Sequence, residues 1–99
     1  QDRKINFHKS MTDIINLVRA HSPKPGAWFT LNNERIKIID VKAGIDNGSV
    51  STILNNKFEI ACIDGSVEPL KLQREGKEIL TKDEFLRGFK FKINDIVND

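Results

Sequence analysis

Gln73-Arg74-Glu75-Gly76-Lys77-Glu78-Ile79-Leu80-Thr81-Lys82-Asp83-Glu84-Phe85-Leu86-Arg87-Gly88 ends a strand, makes a turn and then spells out a complete short helix. Thr81 offers a hydroxyl to the first turn, and Glu84 three residues on can bond back to the cap's own N–H, which is a capping box. Leu80 before the cap and Phe85 after it are spaced to close a hydrophobic staple. Asp83 and Glu84 stand at the positive end of the helix dipole and Arg87 at the negative end. Gly88 is placed to take the left-handed conformation that ends many helices. The spacing predicts a helix over 82–87. A helix this short is unstable alone in water, because its first turn fixes many dihedrals for one hydrogen bond, so a sheet must support it.

Upstream the chain reads as one longer helix followed by hairpins. Ser10 is a cap, Met11, Ile14, Ile15, Leu17 and Val18 recur at helical spacing, and Pro23 drives Ser22 out of helical geometry, predicting a helix over 10–21. Ala27–Leu31 reads as a strand, Asn32-Asn33 as a turn and 35–42 as a second strand. There Arg35 and Lys37 alternate with Ile36 and Ile38, and a phase slip at Ile38-Ile39 predicts a bulge. Further strands are expected over 49–54, 57–63 and 66–73, separated by Asn55-Asn56 and Asp64-Gly65 turns. A sixth is expected over 89–93, with Phe89, Phe91 and Ile93 on one face and Lys90 and Lys92 on the other.

Five to six short antiparallel strands and two helices share one core only if the sheet curls. The expected fold is therefore mainly β, a small open OB-like antiparallel β-barrel. Residues 1–9 have only Ile5 and Phe7 as apolar anchors and read as a linker from a preceding domain, leaving 10–99 as the barrel domain.

Ninety-nine residues, 38% hydrophobic and 30% charged, suit one globular domain with a modest core. No apolar run approaches the ~18 residues of a membrane span. The single cysteine, Cys62, has no partner for an internal disulfide and fits a reducing, cytoplasmic setting. The net charge of +2 is unevenly spread: residues 1–42 hold eight Lys/Arg against four Asp/Glu, and 43–99 hold eight against ten. Positive charge concentrated in this way attracts phosphate by releasing counterions, though it serves equally as a solvated face.

Chemistry-bearing patterns are sparse. Gly76-Lys77 is followed by Glu78 where a phosphate-binding loop needs Ser or Thr. His8, His21 and Cys62 match no zinc spacing. Cys62 reads as a buried hydrophobe, Asp83-Glu84 as helix-cap carboxylates, and Trp28 and Phe29 as core residues in preference to base-stacking platforms. No catalytic residue and no metal site is predicted.

The stretch Gln73-x-x-Gly76-Lys77-x-x-x-Thr81-x-x-x-Phe85-Leu86-x-Gly88 resembles the closing segment of the C-terminal domain of methionyl-tRNA formyltransferases. Upstream, Arg19-Ala20-His21-Ser22-Pro23-Lys24-Pro25-Gly26-Ala27 is similar to the segment that opens that domain. The resemblance spans nearly the whole chain; it departs at loop 43–48, where Asn47-Gly48 replaces the usual Pro-Gly, and at Asn94-Asp95. It implies a barrel fold and an absent N-terminal catalytic domain as partner, where formyl-tetrahydrofolate is the formyl donor. For this piece it implies no cofactor, a monomeric state and the task of holding initiator methionyl-tRNA. The tRNA-binding residues it points to are Arg35, Lys37, Lys42, Lys71, Arg74, Lys77, Lys90 and Lys92, with Arg3, Lys4 and Lys9 as a basic linker. The alternatives are a sugar-nucleotide formyltransferase C-terminal domain or a free-standing RNA-binding or interaction barrel.

Overall fold

The computed structural model describes residues 3–99. Helix α1 (Met11–His21) leads to strands β1 (Ala27–Leu31), β2 (Glu34–Ala43), β3 (Ile60–Cys62), β4 (Gly65–Arg74) and β5 (Ile79–Thr81), and β5 runs directly into helix α2 (Lys82–Gly88). The five-stranded antiparallel sheet has the order β1-β2-β4-β3, with β5 also paired to β4.

Both helices start as their sequences dictate. Ser10 Oγ accepts the Asp13 N–H at 3.1 Å, and Ser22 leaves α1 in extended geometry before Pro23. At α2, Thr81 Oγ1 accepts the Glu84 N–H at 3.2 Å while Glu84 Oε1 accepts the Thr81 N–H at 2.9 Å, so the capping box is complete. The expected left-handed Gly88 is absent: Gly88 is the last helical residue, and Phe89 caps the helix in extended geometry (φ −125°, ψ 120°). Phe89 packs into the core from that position.

The β1-β2 hairpin turns on Asn32 and Asn33, both at positive φ (54° and 64°), the conformation that matches strand twist and that Asn tolerates. The bulge predicted near Ile38-Ile39 is present, with the β2-β4 register shifting between Ile38 and Asp40 and again before Val41. Ile38 and Ile39 are consequently both buried.

Two expected strands do not form. In 49–54, Ser51 sits at φ +69° and the Thr52 hydroxyl bonds back to the Ser49 carbonyl, so only isolated bridges remain, Thr52 to Ile96 and Ile53 to Ile60. In 89–93, Phe89 and Phe91 do turn to the core together, but the Lys92 N–H is taken by Asp95 Oδ2 at 2.8 Å and no ladder builds. The strand expected over 57–63 is shortened to β3 because Asn55 Oδ1 accepts the Lys57 and Glu59 N–H groups, and Phe58 adopts φ +64°. Conversely, β5 was not expected as a strand; it pairs Leu80 with Leu72 and so delivers α2 onto β4.

The gap in the curled sheet is spanned by single contacts. Ile53 N–H donates to the Asp95 carbonyl and Val97 N–H to Ser51. Asn98 then reaches β1, donating its N–H to the Thr30 carbonyl, accepting the Thr30 N–H and donating from Nδ2 to the Ile5 carbonyl. Inside, Phe58 is fully buried with ring centroids of Phe91, Phe85, Phe29 and Phe89 at 5.1, 5.7, 6.4 and 6.5 Å. Ile5 and Phe7, the two anchors of the amino-terminal segment, are also core residues, at 0% and 1% exposure.

Candidate nucleic-acid interface

Along β1 and β2 the residues paired as Ala27–Ile38 and Phe29–Ile36 point into the core, so Trp28, Thr30, Arg35 and Lys37 occupy the opposite face. Trp28 is buried, at 5% exposure, but on the face of the sheet opposite the main hydrophobic cluster. Its cover is cationic. The Arg35 guanidinium lies 3.8 Å from the indole centroid and the Lys4 ammonium 5.5 Å from it.

Backbone pairing creates this cluster. Residues 3–5 run along the free edge of β1: the Trp28 N–H donates to the Arg3 carbonyl at 3.0 Å, and the Ile5 N–H donates to the Trp28 carbonyl at 2.7 Å. Lys4 is thereby bridged to Trp28, Trp28 is paired with Lys37, and Lys37 with Gln73, a row across the outer face. Gly26, at φ +87°, leaves room for the Lys37 stem, since a Cβ there would come within 2.9 Å of Lys37 Cδ. Arg3 donates from Nη1 to the Gly26 carbonyl at 2.9 Å. Arg3, Lys4, Arg35 and Lys37 therefore converge on Gly26–Trp28. Among the described residues the only carboxylate within 4.0 Å of any of them is Glu75, 3.9 Å from Arg35 with both side chains well exposed.

The other predicted cations lie elsewhere. Lys71 is exposed on β4, paired with Asp40 of β2 and Thr81 of β5. Lys77 is exposed in the β4-β5 turn, where its carbonyl accepts the Gln73 side-chain amide at 2.8 Å. Lys42 is 3.8 Å from Glu68, a largely buried carboxylate that also pairs with Lys82. Arg74 is opposite the core residue Ile36, makes a two-pronged pair with Glu34, with Nη2 to Oε1 at 2.9 Å, and lies 5.4 Å from the Phe89 ring. That hydrogen bonding raises the guanidinium pKa above its ordinary value. Lys90 and Lys92 are exposed beside a recess that Asn32, Leu86, Phe89 and Phe91 also line. Lys9 borders a recess between the amino-terminal segment and α1.

Two features escaped the sequence reading. Trp28 is buried as expected, but on the face opposite Phe29, a placement that its alternation with Phe29 signals. The second is buried Glu59, whose Oε1 accepts from the Ile45 N–H, the Asp46 N–H and the Ser66 hydroxyl at 3.1, 3.0 and 2.9 Å. Nothing in its neighbours in sequence marks it. Burial pushes the Cys62 thiol pKa up, in keeping with an inert core residue. Among the described residues no group of three or more His, Cys, Asp and Glu side chains could hold a metal ion. Nor, among them, is any helix long and apolar enough to cross a membrane.

A curled five-stranded half-barrel, with a helix before the first strand and a short capped helix after the last, defines a small open β-barrel domain. Residues 1–90 match the family described as Formyl transferase, C-terminal domain, and the chain belongs to that family. It is 41% identical over 91 residues to the methionyl-tRNA formyltransferase of Sinorhizobium fredii, an alignment covering 88% of this chain and 29% of the relative. It is 39% identical over 92 residues to that of Rickettsia bellii, covering 91% and 30%. The chain thus spans about three-tenths of the length of these relatives, in their C-terminal part. HypX from Aquifex aeolicus, in a structure with tetrahydrofolic acid, has the same fold at a TM-score of 0.64 and 17% identity, over 93% of this chain and 20% of HypX.

Proposed function

We propose that this domain holds initiator methionyl-tRNA for a formyltransferase domain that precedes it in the parent protein. That domain transfers the formyl group of formyl-tetrahydrofolate to the methionyl amine, and residues 1–9 connect the two. The observation that carries the reading is the convergence of Arg3, Lys4, Arg35 and Lys37 around Trp28 in a chain about 40% identical to methionyl-tRNA formyltransferases. Cations on an open sheet face contact phosphates and fix the register of a substrate without reading its bases. Lys71 extends this face across β4, and Lys90 and Lys92 supply a second contact from the carboxy-terminal segment. This piece works as a monomer in the cytoplasm and contributes grip and orientation, with bond-making left to its neighbour.

Titration of the domain with a labelled initiator tRNA transcript at increasing salt tests the proposal. Affinity is expected to fall steeply, by roughly a thousandfold or less between about 50 and 200 mM for a handful of phosphate contacts. Salt-independent binding, or none at low salt, would defeat it. Reversing Lys90 and Lys92 to Glu is expected to weaken binding with the fold intact; unchanged affinity removes that segment from the interface.

A further inference from the structure

Resting on the reading above, we infer that Arg35, whose guanidinium lies over the Trp28 ring, is the residue that grips a phosphodiester of the bound RNA, and that Trp28 is its positioning residue. A guanidinium held 3.8 Å over an indole centroid is restricted by that contact, and no donor of Arg35 makes a hydrogen bond within the protein among the described residues. Such a preorganised fork suits the paired oxygens of a phosphodiester and loses little further entropy on binding.

Two further observations suit an anionic ligand. The Trp28 Nε1–H is buried without an acceptor, an uncommon deficit in a folded chain, and it lies in a cluster where donors outnumber acceptors. The competing carboxylate, Glu75, is 3.9 Å away and 66% exposed, so it is readily displaced. The shape of the site excludes a small isolated anion as the preferred ligand. Arg35 and Lys37 are two residues apart on one face of β2, which separates them by about 6.6 Å. They are arranged along an open sheet, as a chain of phosphates requires.

The test compares wild type with Arg35→Lys, Trp28→Phe and Trp28→Leu for binding of initiator tRNA transcript, with thermal melts confirming that each variant folds. Arg35→Lys keeps the charge and loses the fork, so affinity is expected to fall by about tenfold. Trp28→Phe retains a stacking face and should bind nearly as wild type, whereas Trp28→Leu should fall to the level of Arg35→Lys. If wild type binds and Arg35→Lys binds equally well, the inference fails while the tRNA reading stands. If wild type binds no tRNA, that reading fails and the site is judged by titrating inorganic tripolyphosphate against Trp28 fluorescence, Trp28 being the only tryptophan. An emission change weakened by Arg35→Lys keeps the phosphate site; no change overturns it. A Trp28→Leu variant that folds and binds as wild type overturns the positioning role.

Discussion

Glu59 Oε1 accepts the Ser66 hydroxyl at 2.9 Å while the whole residue is withdrawn from solvent at 0% exposure. The same oxygen accepts the Ile45 and Asp46 N–H groups, and the single Ser66 hydroxyl hydrogen is shared between Glu59 Oε1 and the Asp46 carbonyl, 2.7 Å from Ser66 Oγ. One carboxylate therefore pins the 44–46 loop to β4, and Gly44 is required because a Cβ there would lie 2.1 Å from Ser66 Oγ.

Burial pushes the Glu59 carboxyl pKa up, but the bonds from Asp46, Ser66 and Ile45 outweigh it and the group titrates below its ordinary value. Since the folded pKa lies below the unfolded one, this stabilisation is complete above the unfolded value of about 4.3 and is lost as pH falls through the folded value. Glu59→Gln should cost ~1–3 kcal/mol at neutral pH, because charge-assisted bonds become neutral ones. Chemical denaturation across pH checks this: the gap between wild type and variant should be constant above about pH 5 and narrow in acid. Amide exchange should accelerate at Ile45 and Asp46.

Phe58→Ala removes the ring at the centre of the aromatic cluster. The expected loss is about 3–5 kcal/mol, read as a lower denaturant midpoint with little change in slope. A loss below about 1 kcal/mol would mean that the neighbouring rings collapse into the space.

Thr81→Ala should destabilise the domain by ~1 kcal/mol through loss of the α2 cap, with Thr81→Ser close to wild type. Thermal melts of the two variants make the comparison; equal melts would show that packing of Phe85 alone holds the helix.

Lys71 and Arg74 share β4 and should separate in behaviour. Lys71→Ala is expected to reduce the slope of tRNA affinity against salt by roughly one, as for one lost phosphate contact. Arg74→Ala should leave that slope unchanged and lower stability by roughly 1 kcal/mol or less, since its partner is Glu34 in a half-exposed pair. Loss of tRNA affinity in Arg74→Ala with stability preserved would reassign Arg74 to the interface.

Elements governed by short-range rules were legible in the chain itself. The caps at Ser10 and Thr81, the Asn32-Asn33 turn and the phase slip at Ile38-Ile39 each follow from residues within four positions of one another, where sterics and local hydrogen bonds decide. The length and charge of β2, and so the presence of Arg35 and Lys37 on one face, belong to the same category. What the tertiary structure alone decided are the partnerships between distant segments. Residues 89–93 have a strand's alternation, yet they make no ladder, and Phe89 and Phe91 pack instead against Phe58 of a distant segment. Glu59 finds its donors in Ile45, Asp46 and Ser66 only once the sheet curls, and Lys4 and Arg35 meet over Trp28 only because the amino-terminal segment lies along β1. Alternation predicts which way a side chain points; what it meets there depends on which strands come together, and that is set by the whole chain burying its apolar surface at once.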